Sequence, residues 1–115
     1  RYELSPFNIR VHSIMPGFFD TNFSRSNLVV NSLVLAKNTP YSDLAERLMP
    51  NLLAQINGGN QPHEAAELIL KTIEDQSSPA RATVGDKASK FIPMRRELTD
   101  EDFERRVREH YNLNG

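Results

Sequence analysis

Residues 8–23, Asn-Ile-Arg-Val-His-Ser-Ile-Met-Pro-Gly-Phe-Phe-Asp-Thr-Asn-Phe, decide how the rest of the chain is read. Ile9, Val11, Ile14 and Met15 supply the body of a short buried strand, Ile9 to Met15. Its near-continuous apolar character toward the end suits a parallel strand covered on both faces. Pro16 cannot donate to a sheet ladder, and Gly17 lets the backbone turn or approach another group closely. Ligands of open α/β sheets sit just beyond the carboxyl ends of the strands. Pro16 to Phe23 therefore occupies the position at which an α/β fold binds its ligand.

Working outward, Arg1 to Leu4 reads as the last turn of a helix, stopped at Ser5-Pro6 because the residue before a proline is driven out of the helical region. Asn8 suits a left-handed turn residue. Thr39-Pro40 has the form of an N-cap and first helical residue. Leu44, Leu48, Met49, Leu52, Leu53 and Ile56 then form one apolar stripe. Pro50 is expected to kink or split that helix near residues 47–49, and Gly58-Gly59 to end it. A second helix is expected from Gln61-Pro62 to about Asp75, with Ala66, Ile69, Leu70 and Ile73 as its buried face. Arg81 to Gly85 follows as a short strand. Strand, helix and strand in this order imply a parallel pair with a right-handed crossover. Thr99 caps a last helix, with Asp102 at the capping-box position. That helix has only Phe103, Val107 and Tyr111 as its stripe, which places it on the surface or against a partner.

Composition narrows the function classes. The chain has 115 residues, 38% hydrophobic and 25% charged, enough for one domain at most. A net charge of -1 gives no electrostatic case for nucleic acid or an anionic membrane. Arg95, Arg96, Arg105, Arg106 and Arg108 are interleaved with Glu97, Asp100, Glu101, Asp102, Glu104 and Glu109, which reads as a solvated charged face. The longest apolar run, Leu28 to Ala36, is too short to cross a bilayer. The absence of cysteine fits a cytoplasmic setting. His12, His63 and His110 have no zinc-site spacing, so no metal is expected. Neither a G-x-S-x-G elbow nor a phosphate-binding G-K-[ST] is present.

The run Arg1-Tyr-Glu-Leu-Ser-Pro-Phe-Asn-Ile-Arg-Val-His-Ser-Ile-Met-Pro-Gly-Phe-Phe-Asp-Thr21 resembles the second half of a short-chain dehydrogenase/reductase. In that family a helix ending in Glu-Leu precedes an I-x-V strand and a P-G-x-x-x-T loop. Glu3-Leu4, Ile9-Arg10-Val11 and Pro16-Gly17 with Thr21 match in order and spacing, and a looser likeness continues to about Ala88. The resemblance implies an α/β fold, the C-terminal portion of a Rossmann-type doubly wound parallel sheet. Residues 1–94 would belong to that domain, with a substrate lid at about 18–60, and residues 95–115 to a C-terminal helical extension.

It also implies an activity, the interconversion of an alcohol and a carbonyl on an apolar substrate, with NAD or NADP as cofactor. Pro16, Gly17, Phe19 and Thr21 would contact the nicotinamide end, and Phe18, Phe23 and Leu28 the substrate. The last strand would serve a homo-oligomer contact. No catalytic residue is expected within the chain. Tyr2, Tyr41 and Tyr111 are not followed by Lys four residues on, and the Gly-rich cofactor turn is missing. Both are expected in a preceding half, so this sequence is expected to be a piece of a longer protein with an apolar face left open. A non-catalytic binding or assembly module is the alternative. For Thr21, the residues alone offer a different role, as the cap of the next helix through an Asp20-Thr21 turn.

Overall fold

The computed structural model describes residues 1–113. Within them the chain is built on a parallel strand pair, β1 (Ser13–Pro16) and β2 (Arg81–Val84), with Ser13 opposite Arg81 and Pro16 opposite Val84. Between the strands lie a single π-helical turn (Phe23–Asn27), α1 (Ser32–Leu35), α2 (Ser42–Asn57) and α3 (Pro62–Glu74). After β2 come α4 (Asp86–Glu97) and α5 (Asp100–His110). Parallel strands need a long crossover, and α3 completes it, packing on β2. The α/β class and the parallel pair are those expected.

β1 begins at Ser13 rather than Ile9. A strand extends only as far as it has a partner, and Ser13 N–H, donating to Ala80 O at 2.9 Å, starts the ladder. Upstream, Arg10 instead caps the end of α3, donating to Ile73 O at 2.7 Å and Asp75 O at 3.0 Å. Ile9 and Val11 remain 49% and 40% exposed. Ser5-Pro6 also behaves differently from expectation: it opens a 3-10 turn, Ser5–Phe7, which closes at Asn8 in the left-handed region (φ 56°). Proline's fixed φ suits a first turn.

α2 starts at Ser42, two residues after Pro40. Thr39 forms a turn ahead of the helix, its hydroxyl accepting from Tyr41 N–H at 3.3 Å and its carbonyl from Ser42 N–H at 3.1 Å. Pro50 does not split the helix, which runs unbroken to Asn57. Its missing N–H deprives only the Glu46 carbonyl of an intrahelical bond.

α3 presents a different face from the one expected. Ala65 and Leu68 are half-buried and Thr72 is buried, whereas Ala66 is exposed and Ile69, Leu70 and Ile73 are 45%, 55% and 63% exposed. The apolar arc of α3 is wide enough for two contacts, and only the Ala65–Leu68–Thr72 side is used. α4 was not expected at all; it runs unbroken across residues 94 and 95. α5 starts as expected, with Thr99 Oγ1 accepting from Asp102 N–H at 3.2 Å. Its Phe103, Val107 and Tyr111 stripe is half-buried, and Tyr111 stacks on Phe91 of α4.

Among the described residues only Ala88 (5% exposed) and Thr72 (6%) are buried. The radius of gyration is 18.0 Å, against about 13 Å for a compact domain of this length. Parallel sheets are ordinarily covered on both faces, so the open side of α3 is surface of the kind that packing normally hides. No helix among the described residues is long and apolar enough to cross a membrane.

Two outcomes are expected. The 115-residue chain should self-associate with rising concentration in analytical ultracentrifugation, and Ile69→Lys with Ile73→Lys should shift it toward monomer; a wild-type monomer at all concentrations would contradict the open-face account. A Cβ on Gly59 would lie 2.4 Å from Phe18 O, whereas one on Gly58 meets nothing nearer than Ala54 O at 3.2 Å. Gly59→Ala should therefore cost about 2 kcal/mol in denaturant unfolding and clearly more than Gly58→Ala.

Candidate functional site

The carboxyl end of β1 is shaped by what surrounds it. Gly17 N–H donates to Val84 O at 2.9 Å, the last bond between the strands. Pro16 then turns the chain out of the sheet with its side chain exposed. A Cβ on Gly17 would lie 2.8 Å from Ala88 N and 3.1 Å from Lys87 Cβ. The close approach expected at this glycine is thus made to the first turn of α4.

Phe18 to Asp20 runs beside Asn60. Asn60 N–H donates to Phe18 O at 3.0 Å and Asp20 N–H to Asn60 O at 2.9 Å, forming a one-residue parallel bridge between Phe19 and Asn60. The Asn60 side chain reaches two helix N-termini. Its Oδ1 accepts from Asp86 N–H at 2.8 Å, and its Nδ2 donates to Glu64 Oε2 at 3.0 Å. Glu64 Oε1 in turn accepts from Gln61 N–H at 3.0 Å, satisfying an orphan donor at the start of α3. Gly85 makes room beneath: its φ is 87°, and a Cβ there would meet Asn60 Oδ1 at 3.0 Å and the Phe19 ring at 3.1 Å. One asparagine thereby fastens the β1 exit to α3 and α4.

This bridge has a chemical consequence. It uses the C=O of Phe18 and the N–H of Asp20. In a parallel ladder the residue between them, Phe19, directs its own N–H and C=O to the opposite side. Neither group has a partner among the described residues. A donor and an acceptor therefore stand side by side at the end of β1.

Thr21 follows at once. Its hydroxyl accepts from Phe23 N–H at 3.3 Å, capping the π turn. A hydroxyl that accepts one bond keeps its own proton to donate. Asp20 and Arg25 pair at 2.5 Å, and Ser24 Oγ donates to Asn57 Oδ1 at 2.6 Å, pinning the turn to the end of α2. Pro16, Gly17, Phe19 and Thr21 are thus held in one continuous run. Phe18 and Leu28 are half-buried, while Phe23 is 55% exposed. Among the described residues, three hollows lie between α4 and α5 (about 610 Å³), between α1 and α2 (about 280 Å³) and beside Arg10, His12 and Ile14 (about 240 Å³), and Phe18, Phe23 and Leu28 line none of these three.

His12 has a structural contact, with Nδ1 2.8 Å from Pro79 O. Its Nε2 is sheltered and without a partner. The described residues hold no cluster of His, Cys, Asp or Glu able to ligate a metal.

The residue that sequence reading passed over is Asn60. Its signal was local: Gly58-Gly59-Asn60-Gln61-Pro62 places two small residues and an amide directly before a helix opening, with Glu64 at the reciprocal capping position. Asn60→Leu, close in volume and without polar atoms, should cost about 1–3 kcal/mol in chemical denaturation. Hydrogen exchange at the Asp20 and Asp86 amides should quicken with it. Wild-type stability in this variant would remove Asn60 from its central place.

Two proteins of the fission yeast Schizosaccharomyces pombe, each described as an uncharacterized oxidoreductase, are similar to this chain. Each is 26% identical over 102 residues, which covers 89% of this chain and 41% of the relative. The chain thus spans about two-fifths of the length of the curated relatives it matches. No protein-family model and no solved structure matches it.

Proposed function

We propose that this chain is the part of an NAD(P)-dependent short-chain oxidoreductase that orients the nicotinamide and the substrate during interconversion of an alcohol and a carbonyl. The observation that carries the proposal is the pair of unpartnered main-chain groups on Phe19, one donor and one acceptor, next to the Thr21 hydroxyl at the carboxyl end of a parallel strand. A primary carboxamide offers N–H donors and a C=O acceptor, and that set is complementary to Phe19. The residues present therefore fit the nicotinamide end of the cofactor.

In this arrangement the Phe19 main chain would hold the carboxamide, and the Thr21 proton would go to a cofactor oxygen. Pro16, lacking an N–H, would present an apolar ring edge. Gly17 would act indirectly, since its missing side chain is required by α4. When bound, the cofactor supplies the hydride chemistry. This chain's contribution is to orient and to exclude water; acid–base chemistry would fall to a Tyr-x-x-x-Lys pair that these 115 residues do not contain. Phe18, Phe23 and Leu28 would provide an apolar wall, and the π turn with α1 would form a lid over it. Further parallel strands would continue the sheet beyond β1, and a second copy of the protein would share the interface. The cytoplasm is the compartment that suits a cysteine-free enzyme of this class.

The open apolar side of α3 favours a second reading, a non-catalytic module that uses this surface for assembly. The two separate in one experiment on the full-length protein that carries this chain. Thr21→Val should weaken binding of NADH or NADPH about 5- to 100-fold, the loss of one buried hydrogen bond, while the lost cap on Phe23 N–H lowers the melting temperature by only a few degrees. Unchanged affinity would remove Thr21 from the site. Absence of nicotinamide binding in the wild-type protein would favour the assembly module.

A further inference from the structure

A second cluster of chemically active groups lies away from the β1 exit, where α2, α4 and α5 meet. His110, the last residue of α5, presents a single nitrogen, Nε2, to two neighbours. Lys87 Nζ of α4 is 2.9 Å away and Gln55 Oε1 of α2 is 3.0 Å away. These partners make opposite demands. An ammonium has only protons to give, so it requires a lone pair on Nε2. A carbonyl oxygen has only lone pairs, so it requires a proton there. Nothing can satisfy both at once.

Gln55 and the ring each have further contacts. Gln55 Nε2 donates to Asn51 Oδ1 at 3.1 Å, and its oxygen faces His110. The imidazole is gripped edge-on by Phe91 (centroids 5.1 Å apart) and by Tyr111 (4.9 Å). The ring is thereby kept from swinging away, and the proton on Nε2 is the variable that remains.

We infer that His110 is a proton-operated switch that exchanges its partner between Lys87 of α4 and Gln55 of α2. With the imidazole neutral and its proton on Nδ1, Nε2 accepts from Lys87 and ties α5 to α4. Once Nε2 is protonated, it donates to Gln55 and repels the ammonium, so the α5–α4 tie is lost and the α5–α2 tie is made. This goes beyond the oxidoreductase proposal and does not depend on it. The switch nevertheless lies just behind the β1 exit, because Lys87 Cβ is among the atoms that crowd Gly17.

The surrounding charges set its direction. From α4, Lys87 and Lys90 face the ring, and Glu97 lines the same hollow. From α5 come Arg106 and Glu109, which pair with each other at 3.7 Å, and from α2 the uncharged Gln55. Burial first, and then the charges of Lys87 and Lys90, hold His110 below the usual histidine value of 6.5. Burial first, and then Lys90, likewise hold Lys87 below the usual lysine value, with Asp86 opposing. The unfolded chain therefore takes up the His110 proton before the folded one does. The stability contributed by the neutral ring is present above about pH 6.5 and is lost as pH falls through the lower folded value.

Nitrogen-15 NMR of the histidine side chains in the full-length protein tests this. Near neutral pH the His110 proton should reside on Nδ1, and on acidification the ring should titrate below the usual histidine value. Lys87→Met should move that midpoint up by removing a facing charge. Gln55→Leu should move it down by removing the acceptor for the charged form. A neutral ring protonated on Nε2, which the wild-type spectrum alone reveals, would overturn the inference, as would a midpoint that both variants leave in place.

Discussion

The Asn60 side chain, bonded at once to the first turns of α3 and α4 while its backbone holds Phe18 and Asp20, is the constraint on which the β1 exit depends. An asparagine amide offers donor and acceptor at fixed spacing; here Oδ1 accepts from the Asp86 N–H at the start of α4, and Nδ2 donates to Glu64, whose carboxylate caps the start of α3. Gly59 and Gly85 exist around it for steric reasons: one lets the bridge to Phe18 close, the other opens space for the Phe19 ring. The arrangement leaves the Phe19 peptide groups pointing outward by default. In the proposed function, the binding surface would arise from the alternation of a parallel ladder and would need no charged residue to create it.

The rest of the chain shows how little of its surface is closed by its own residues. The sheet has two strands among the described residues, and α3 covers β2 with only part of its apolar arc. A radius of gyration of 18.0 Å follows directly, because the helices contact the strands without enclosing a shared interior. For the orienting surface proposed at the strand end this would be a workable design. The local fastening by Asn60 is short-range and does not rely on a deep core.

How much was legible in the sequence follows from range. Pro16-Gly17 marked the end of β1 correctly because proline's missing donor is a local fact. The beginning of β1 was not legible, because the alternation at Ile9 and Val11 is the same whether or not a neighbouring strand reaches that far. The cap at Thr99 was readable for the same local reason, whereas Thr39, equally suitable, was taken by a turn that Ser42 completes. α3 itself was clear from its period; which half of its apolar arc would be covered depended on residues far away in sequence. α4 left almost no signal, with Ala88 as its one buried residue and Pro93 inside it. At the site, Thr21 was visible in two roles from the start. For Asn60 the local signal marked only a helix opening, because its other partners are set by the meeting of two helices and a loop.

The central claim is that the Phe19 peptide groups are free of the fold and available to a carboxamide. Residue-resolved amide exchange on the full-length protein, with and without NADH or NADPH, measures this at one atom. The Phe19 N–H is expected to exchange rapidly in the free protein, unlike the Asp20 N–H beside it, and to become protected when the nucleotide is added. A Phe19 amide already protected in the free protein, or one that saturating nucleotide leaves unchanged, would contradict the account.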